Sequence, residues 1–220
     1  MHRKIITTGD GSTTIQIEDW NEQYHSKHGA VREAYHVFIE NGLFQLPDAK
    51  IAVLEIGFGT GLNALITFLE ARKRGIEVHY TGVEAYPIAD HELDQLNYVS
   101  ELDAGAYASD FLRMHRAPWE EDVYISKDFI LQKQQKDFSR IEESDRYDLV
   151  YFDAFGARVQ PELWTEAIFS KMYNALKKSG VLTTYAAKGS VRRAMQAVGF
   201  SVDRLPGPPG KREMLRAKKD

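Results

Sequence analysis

Three glycines and three acids in this chain are spaced so that they could build a site for a polar, nucleotide-like ligand. Gly57, Gly59 and Gly61 lie in "VLEIGFGTGLNALITFL", between an apolar run that reads as a strand and one with helical periodicity. Glycine at alternate positions allows a tight turn and close approach of backbone to ligand, and the N–H groups of the following helix offer a positively biased end. Glu84 ends the next apolar run, 23 residues beyond Gly61, where a carboxylate can accept hydrogen bonds from both hydroxyls of a ribose. Asp137 closes "FILQKQQKD"; it is a candidate to lie near an adenine, or else an N-cap for "FSRIEES". Asp153 follows the apolar "YDLVYF" directly and leads into "AFGARVQPELW".

A dinucleotide fingerprint would need a third glycine at position 62, which is leucine. The observed G-x-G-x-G, preceded by Glu55, instead resembles the S-adenosylmethionine (SAM) motif of class I methyltransferases. Asp153 then falls beside the switch point at which doubly wound sheets bind their ligands. A carboxylate withdrawn from water there is costly unless a ligand or a hydrogen-bond network uses it. Methyl transfer from a sulfonium is an in-line displacement, so a nucleophile must be held on line. Asp153 or the loop carbonyls can accept N–H bonds from an amine while Phe155 confines it; the plainer role for Asp153 is to cap the loop before "PELWTEAIF".

These residues need strands that end at a common edge. Strands are predicted near 51–56, 77–84, 129–135, 147–152 and 180–186, and helices near 61–73, 87–97, 101–114, 164–177 and 190–198. Alternation of strand and helix argues for a mostly parallel sheet covered on both faces. "FSVDRL" and "REMLRA" are separated only by "PGPPGK", too little for a parallel crossover, so they form an antiparallel hairpin. This is the α/β, Rossmann-like arrangement of the class I SAM-dependent methyltransferase fold. Ahead of it, "KIITTGDGSTTIQIED" reads as a hairpin, and Val31, Ala34, Tyr35, Phe38 and Ile39 recur at helical spacing over 29–41. The chain is therefore expected to be a single methyltransferase domain over 1–220, with a small hairpin and helix cap over 1–48 and a core over 49–220.

Composition agrees. With 220 residues, 43% hydrophobic and 27% charged, the chain reads as an ordinary soluble globular protein. The absence of cysteine excludes disulfides, thiolate metal sites and a thiol nucleophile. The seven histidines are scattered without ligand spacing, so no metal is expected. The N-terminus lacks the apolar core of a signal peptide and no segment reads as a membrane span, which points to the cytoplasm. Charge is uneven: from Lys188 to Asp220 nine Lys or Arg face three acids, a local +6 in a chain whose net charge is −4. Such asymmetry marks an anionic partner or a solvated basic tail.

"LEIGFGTGLN", "FDAF…PELWTEAIF", "GVLTTYAAKGSVRRAMQAVGF" and "GKREML", in that order, resemble the methyltransferase domain of the tRNA 5-methylaminomethyl-2-thiouridine biosynthesis (MnmC) family, and the lead-in "EDWNEQYHS…GAVREAYHVF" is similar as well. The resemblance runs from about Asp19 to Ala217. It implies SAM-dependent methylation of the exocyclic amine of 5-aminomethyl-2-thiouridine at the tRNA wobble position. Contacts to SAM are expected from Glu55, Gly57, Phe58, Gly59, Thr60, Gly61, Asn63, Glu84, Asp137 and Asp153, and catalytic roles from Asp153 and Phe155. The anticodon loop is expected to meet Lys188, Arg192, Arg193, Lys211 and Arg212 through its phosphates; Tyr24, Tyr35 and Trp20 of the cap either stack on its bases or, as the plainer reading, pack the cap on the sheet. With no second glycine fingerprint, the chain resembles the stand-alone, methyltransferase-only members, which implies no flavin and a separate enzyme that makes the aminomethyl group. It departs from the family at Gly156 and Ala157, where a proline commonly follows the phenylalanine; losing it frees the loop backbone. Two alternatives remain open: a SAM-dependent methyltransferase of a small-molecule amine, and a non-catalytic RNA-binding module on the same fold.

Overall fold

The computed structural model describes residues 2–220. The N-terminal hairpin forms as β1 (Arg3–Thr7) and β2 (Thr13–Ile17), with a short third strand β3 (Glu22–Gln23) antiparallel to β2. Helix α1 (Ala30–Ala34) continues without a break into a π-helical turn, Tyr35–Glu40, which buries Val37, Phe38 and Ile39. The main sheet then begins with β4 (Lys50–Ile56), α2 (Leu62–Arg74) and β5 (Glu77–Glu84). After α3 (Asp90–Leu93), α4 (Tyr98–Glu101) and α5 (Ala108–Arg116) come β6 (Asp122–Ser126), β7 (Phe129–Gln135) and β8 (Tyr147–Phe152). The chain ends with α6 (Glu166–Ala175), β9 (Leu176–Thr184), α7 (Gly189–Ala197), β10 (Ser201–Pro206) and β11 (Glu213–Lys218).

The eight strands β4–β11 lie in the order β10-β11-β9-β8-β4-β5-β7-β6. Strands β9, β8, β4, β5 and β7 are mutually parallel. β10 and β11 form the expected antiparallel hairpin, which adds to β9 through β11. The near-continuous apolar runs in β4 and β8 follow from burial on both faces. Val53, Leu149 and Tyr151 pack with α2 and the cap on one face; Leu54, Val150 and Phe152 pack with α6 and α7 on the other. Strand periodicity alone divides neighbours between two cores.

The structure departs from the expected elements in four places. Residues 87–97 do not form one helix: it is confined to Asp90–Leu93, because Asn97 is committed elsewhere, its Oδ1 accepting from Thr13 N at 2.7 Å and its Nδ2 donating to Gly11 O at 2.9 Å. Such side-chain bonds compete with helix propagation. The helix placed at 101–114 is likewise shortened, interrupted by the left-handed Asp103 (φ 49°) before α5 begins at Ala108. Strand β6, antiparallel to β7 at the sheet edge, was hidden by the charges that flank its short run, and its Tyr124 is exposed. β9 also starts earlier than expected, at Leu176.

On the second face, Phe169 of α6 is fully buried, its ring 5.1 Å from that of Phe152 and 6.3 Å from that of Trp164. Phe169→Ala is expected to cost about 3–5 kcal/mol. Urea unfolding should show a lower midpoint at unchanged slope.

Candidate functional site

Every parallel strand of the sheet ends its sequence at the same edge, and there a cleft of about 690 Å³ opens. β4 runs into the glycine turn, β5 into Glu84, β7 into Asp137 and β8 into Asp153. All three glycines adopt positive φ: Gly57 91°, Gly59 51° and Gly61 72°. Side chains there would be strained as well as obstructed. A Cβ at Gly57 would stand 2.9 Å from the carbonyl O of Asp153, and one at Gly59 3.1 Å from Tyr24 Cδ1. The turn is thus squeezed between the Asp153 loop and the cap. Gly57 N and Phe58 N both donate to Val83 O at 3.0 Å, fastening it to β5.

Behind the turn, Asn63 joins two carboxylates. Its Nδ2 donates to Glu55 Oε1 and to Asp153 Oδ2, each at 2.9 Å. Burial pushes Glu55 well above the usual carboxylate range, against the pull of the Asn63 hydrogen bond. Burial, with the Glu33 carboxylate nearby, lifts Asp153 to about 7, while the Asn63 bond and Lys211 oppose the shift. Glu84 is buried; its Oε2 accepts from Gly59 N at 3.0 Å and its Oε1 from Tyr86 N at 2.8 Å. Each of these oxygens retains a lone pair for a ligand. Asp137 caps the turn Phe138–Arg140, accepting from Ser139 N at 2.8 Å, and still lines the cleft.

The cap roofs this cleft. Phe155 meets the ring of Tyr24 edge-on at 4.9 Å and that of Trp20 at 5.6 Å. Trp164 Nε1 donates to Phe155 O at 2.8 Å, and Tyr185 Oη to Ala154 O at 2.8 Å, so the loop after Asp153 is pinned from the sheet side. Lys211 Nζ reaches Glu33 Oε1 at 2.6 Å and sits 3.8 Å above the Tyr185 ring.

The structure brings Gly57, Phe58, Gly59, Thr60, Asn63, Glu84, Asp137, Asp153, Phe155, Tyr24 and Lys211 to the wall of one cleft. Others stand apart from it. Glu55 lies behind Asn63, and Gly61 faces His115, whose Nε2 donates to Thr60 O at 3.1 Å. Burial draws His115 down to about 4, so the ring is neutral there at physiological pH. The Phe58 ring is turned into the core. Tyr35 follows the plainer of its two readings: its hydroxyl donates to Glu70 Oε1 at 3.0 Å, packing the cap on α2. Lys188 and Arg212 line a neighbouring groove, whereas Arg192 and Arg193, on α7, line neither cavity. Sequence reasoning missed Glu33, Gln23 and Tyr185 on the cleft wall; only long-range packing brings them there, and nothing in their spacing signals it.

The donor set suits SAM. A glycine cradle, a buried carboxylate with free lone pairs for a ribose diol, and a second carboxylate for a cationic centre share one enclosed space. Gln23 Oε1 and Asn63 Oδ1 are buried there without a hydrogen-bond partner among the described residues. An acceptor left in that state gains by meeting a donor on a ligand. Among the described residues no group of three or more His, Asp or Glu is placed to hold a metal ion, and no helix is long and apolar enough to cross a membrane.

Strand order, terminal hairpin and glycine turn together define a class I methyltransferase fold. A family model for S-adenosyl-L-methionine-dependent methyltransferases matches residues 108–220, and the chain belongs to that family. Among curated proteins it is 29% identical over 231 residues to the tRNA 5-methylaminomethyl-2-thiouridine biosynthesis bifunctional protein MnmC of Cupriavidus metallidurans, a match covering 97% of this chain and 33% of that protein. The protein of the same name from Aromatoleum aromaticum is 30% identical over 229 residues, covering 98% of this chain and 35% of its own. The chain thus spans about a third of the length of these relatives. The crystal structure of MNMC2 from Aquifex aeolicus shares the fold, with a TM-score of 0.81 at 24% identity over 100% of this chain and 70% of that one.

The close approach at Gly57 gives a direct test. Gly57→Ala is expected to lower stability by about 1–3 kcal/mol from the left-handed backbone and to weaken SAM at least about tenfold by displacing the Asp153 loop. Calorimetric titration with SAM, alongside circular dichroism to establish folding, measures both.

Proposed function

We propose that this chain transfers a methyl group from SAM to the exocyclic amine of 5-aminomethyl-2-thiouridine at the wobble position of tRNA, giving 5-methylaminomethyl-2-thiouridine. The observation that carries the proposal is a single cleft in which Asp153 and Phe155 face the glycine turn and Glu84 beneath the cap aromatics. The names of the relatives that match nearly the whole chain supply the substrate class. The methyl-transfer step itself calls for no flavin and no metal, and its place is the cytoplasm.

The backbone of Gly57 and Gly59 and the carboxylate of Glu84 would hold the nucleoside part of SAM, and Asp137 the adenine side. When bound, SAM supplies an electrophilic methyl on a positively charged sulfur. The chain must deliver a neutral amine to it. An alkylamine with a pKa of roughly 9 to 10.4 is protonated at neutral pH, and freeing its lone pair costs about 3–4.5 kcal/mol at pH 7. Asp153, raised to about 7 by burial, is matched to take that proton at an oxygen not engaged by Asn63. Phe155, held between Trp20 and Tyr24, limits the directions from which the amine can approach and keeps water out.

The pH dependence has a definite sign. Free enzyme carries the competent, ionised Asp153 only above about pH 7, so kcat/KM should rise with pH through that value and then level as this group is fully ionised. Asp153→Asn is expected to lower kcat about 10²-fold or more and to abolish that inflection; a variant retaining the inflection assigns the proton to another group. In cells lacking the protein, mass spectrometry of wobble uridines should show the unmethylated aminomethyl nucleoside accumulating. An unchanged nucleoside profile overturns the substrate.

A further inference from the structure

A second cavity, of about 470 Å³, opens beside the cleft, and the two share Gly156, Tyr185 and Lys211 in their walls. Its floor is apolar, formed by Ala157, Ala186, Val191 and the face of Tyr185. Four cations, Arg158, Lys188, Lys211 and Arg212, border it against one acid, Glu213. Two of the four are committed within the fold. Lys211 is paired with Glu33, and Arg158 donates to Trp20 O at 3.1 Å and to Glu22 Oε2 at 3.0 Å. Glu213 in turn lies 3.7 Å from Arg204. Lys188 and Arg212 are exposed and have no side-chain hydrogen bond or ion pair among the described residues.

Two uncommitted cations above an apolar floor, adjoining a cleft built for a nucleoside, match the chemistry of one nucleotide: an anionic diester beside a largely apolar sugar face. We propose that this groove binds the ribose and phosphodiester of the nucleotide adjoining the one whose amine meets Asp153. This rests on the reading of an RNA substrate and makes the minimum ligand a single-stranded dinucleotide, not a free nucleoside.

The test is fluorescence anisotropy with a labelled five-nucleotide single-stranded RNA, using the full chain saturated with S-adenosylhomocysteine. Lys188→Ala with Arg212→Ala is expected to weaken binding at least tenfold at low salt and to reduce the slope of log K against log salt by about 1.4, the loss of two single-strand phosphate contacts. SAM affinity, measured by calorimetry, should stay within twofold as the control for folding. An unchanged affinity and slope overturns the groove, as does polyglutamate competing as well as RNA. Normal binding in the groove with no methylation of aminomethyl-tRNA by the wild type supports the groove and overturns the substrate reading. Methylation of that tRNA at unchanged KM in the double variant overturns the groove alone.

Discussion

Two carboxylates, Glu55 and Asp153, are withdrawn from water at the ends of neighbouring parallel strands, and one amide holds them together. Asn63 spends both of its N–H donors on this, one per acid. Its N–H groups favour the ionised carboxylates and so oppose the upward shift that burial imposes on both. The helix that carries Asn63 can begin only after a left-handed glycine turn, and that turn fits only because Gly57 has no side chain to meet Asp153 O. Geometry of the cofactor side and electrostatics of the amine side are therefore one constraint. Burial at that strand end, with Glu33 nearby, is what raises the proton affinity of Asp153.

The cap depends on the same arrangement from above. Three cations strap it to the core: Arg3 donates to Tyr86 O at 2.9 Å and Glu92 Oε2 at 3.1 Å, Arg158 reaches Glu22, and Lys211 reaches Glu33. Their anchor points surround the cleft, with Trp20 and Tyr24 lying on Phe155 between them. Within the basic C-terminal region, Arg204, Lys211, Arg216 and Lys219 are likewise ion-paired inside the fold. Only part of it, Lys188 and Arg212 foremost, remains free to meet an anion.

The glycine turn, Glu84 and Asp153 were legible because each is a local rule: a strand ends, a glycine permits an otherwise costly φ, an acid remains where apolar residues stop. The hairpin at the C-terminus was legible from loop length alone. Residues 87–97 were not, since their helix yields to Asn97 bonds with a hairpin more than eighty residues away in sequence. Tyr35 and Tyr24 could not be told apart in sequence; one turns to Glu70 and the other to Phe155.

What the sequence determined by itself was the class of fold and the strand edge at which its chemistry must lie, because strand and helix periods and glycine conformations are properties of short segments. What only the tertiary structure decided was which charges are spent and which are free. Lys211 and Arg192 look alike in a basic stretch, yet one closes an ion pair over Tyr185 at the cleft and the other lies outside both cavities. That difference arises from partners brought in from distant parts of the chain, and no local pattern records them.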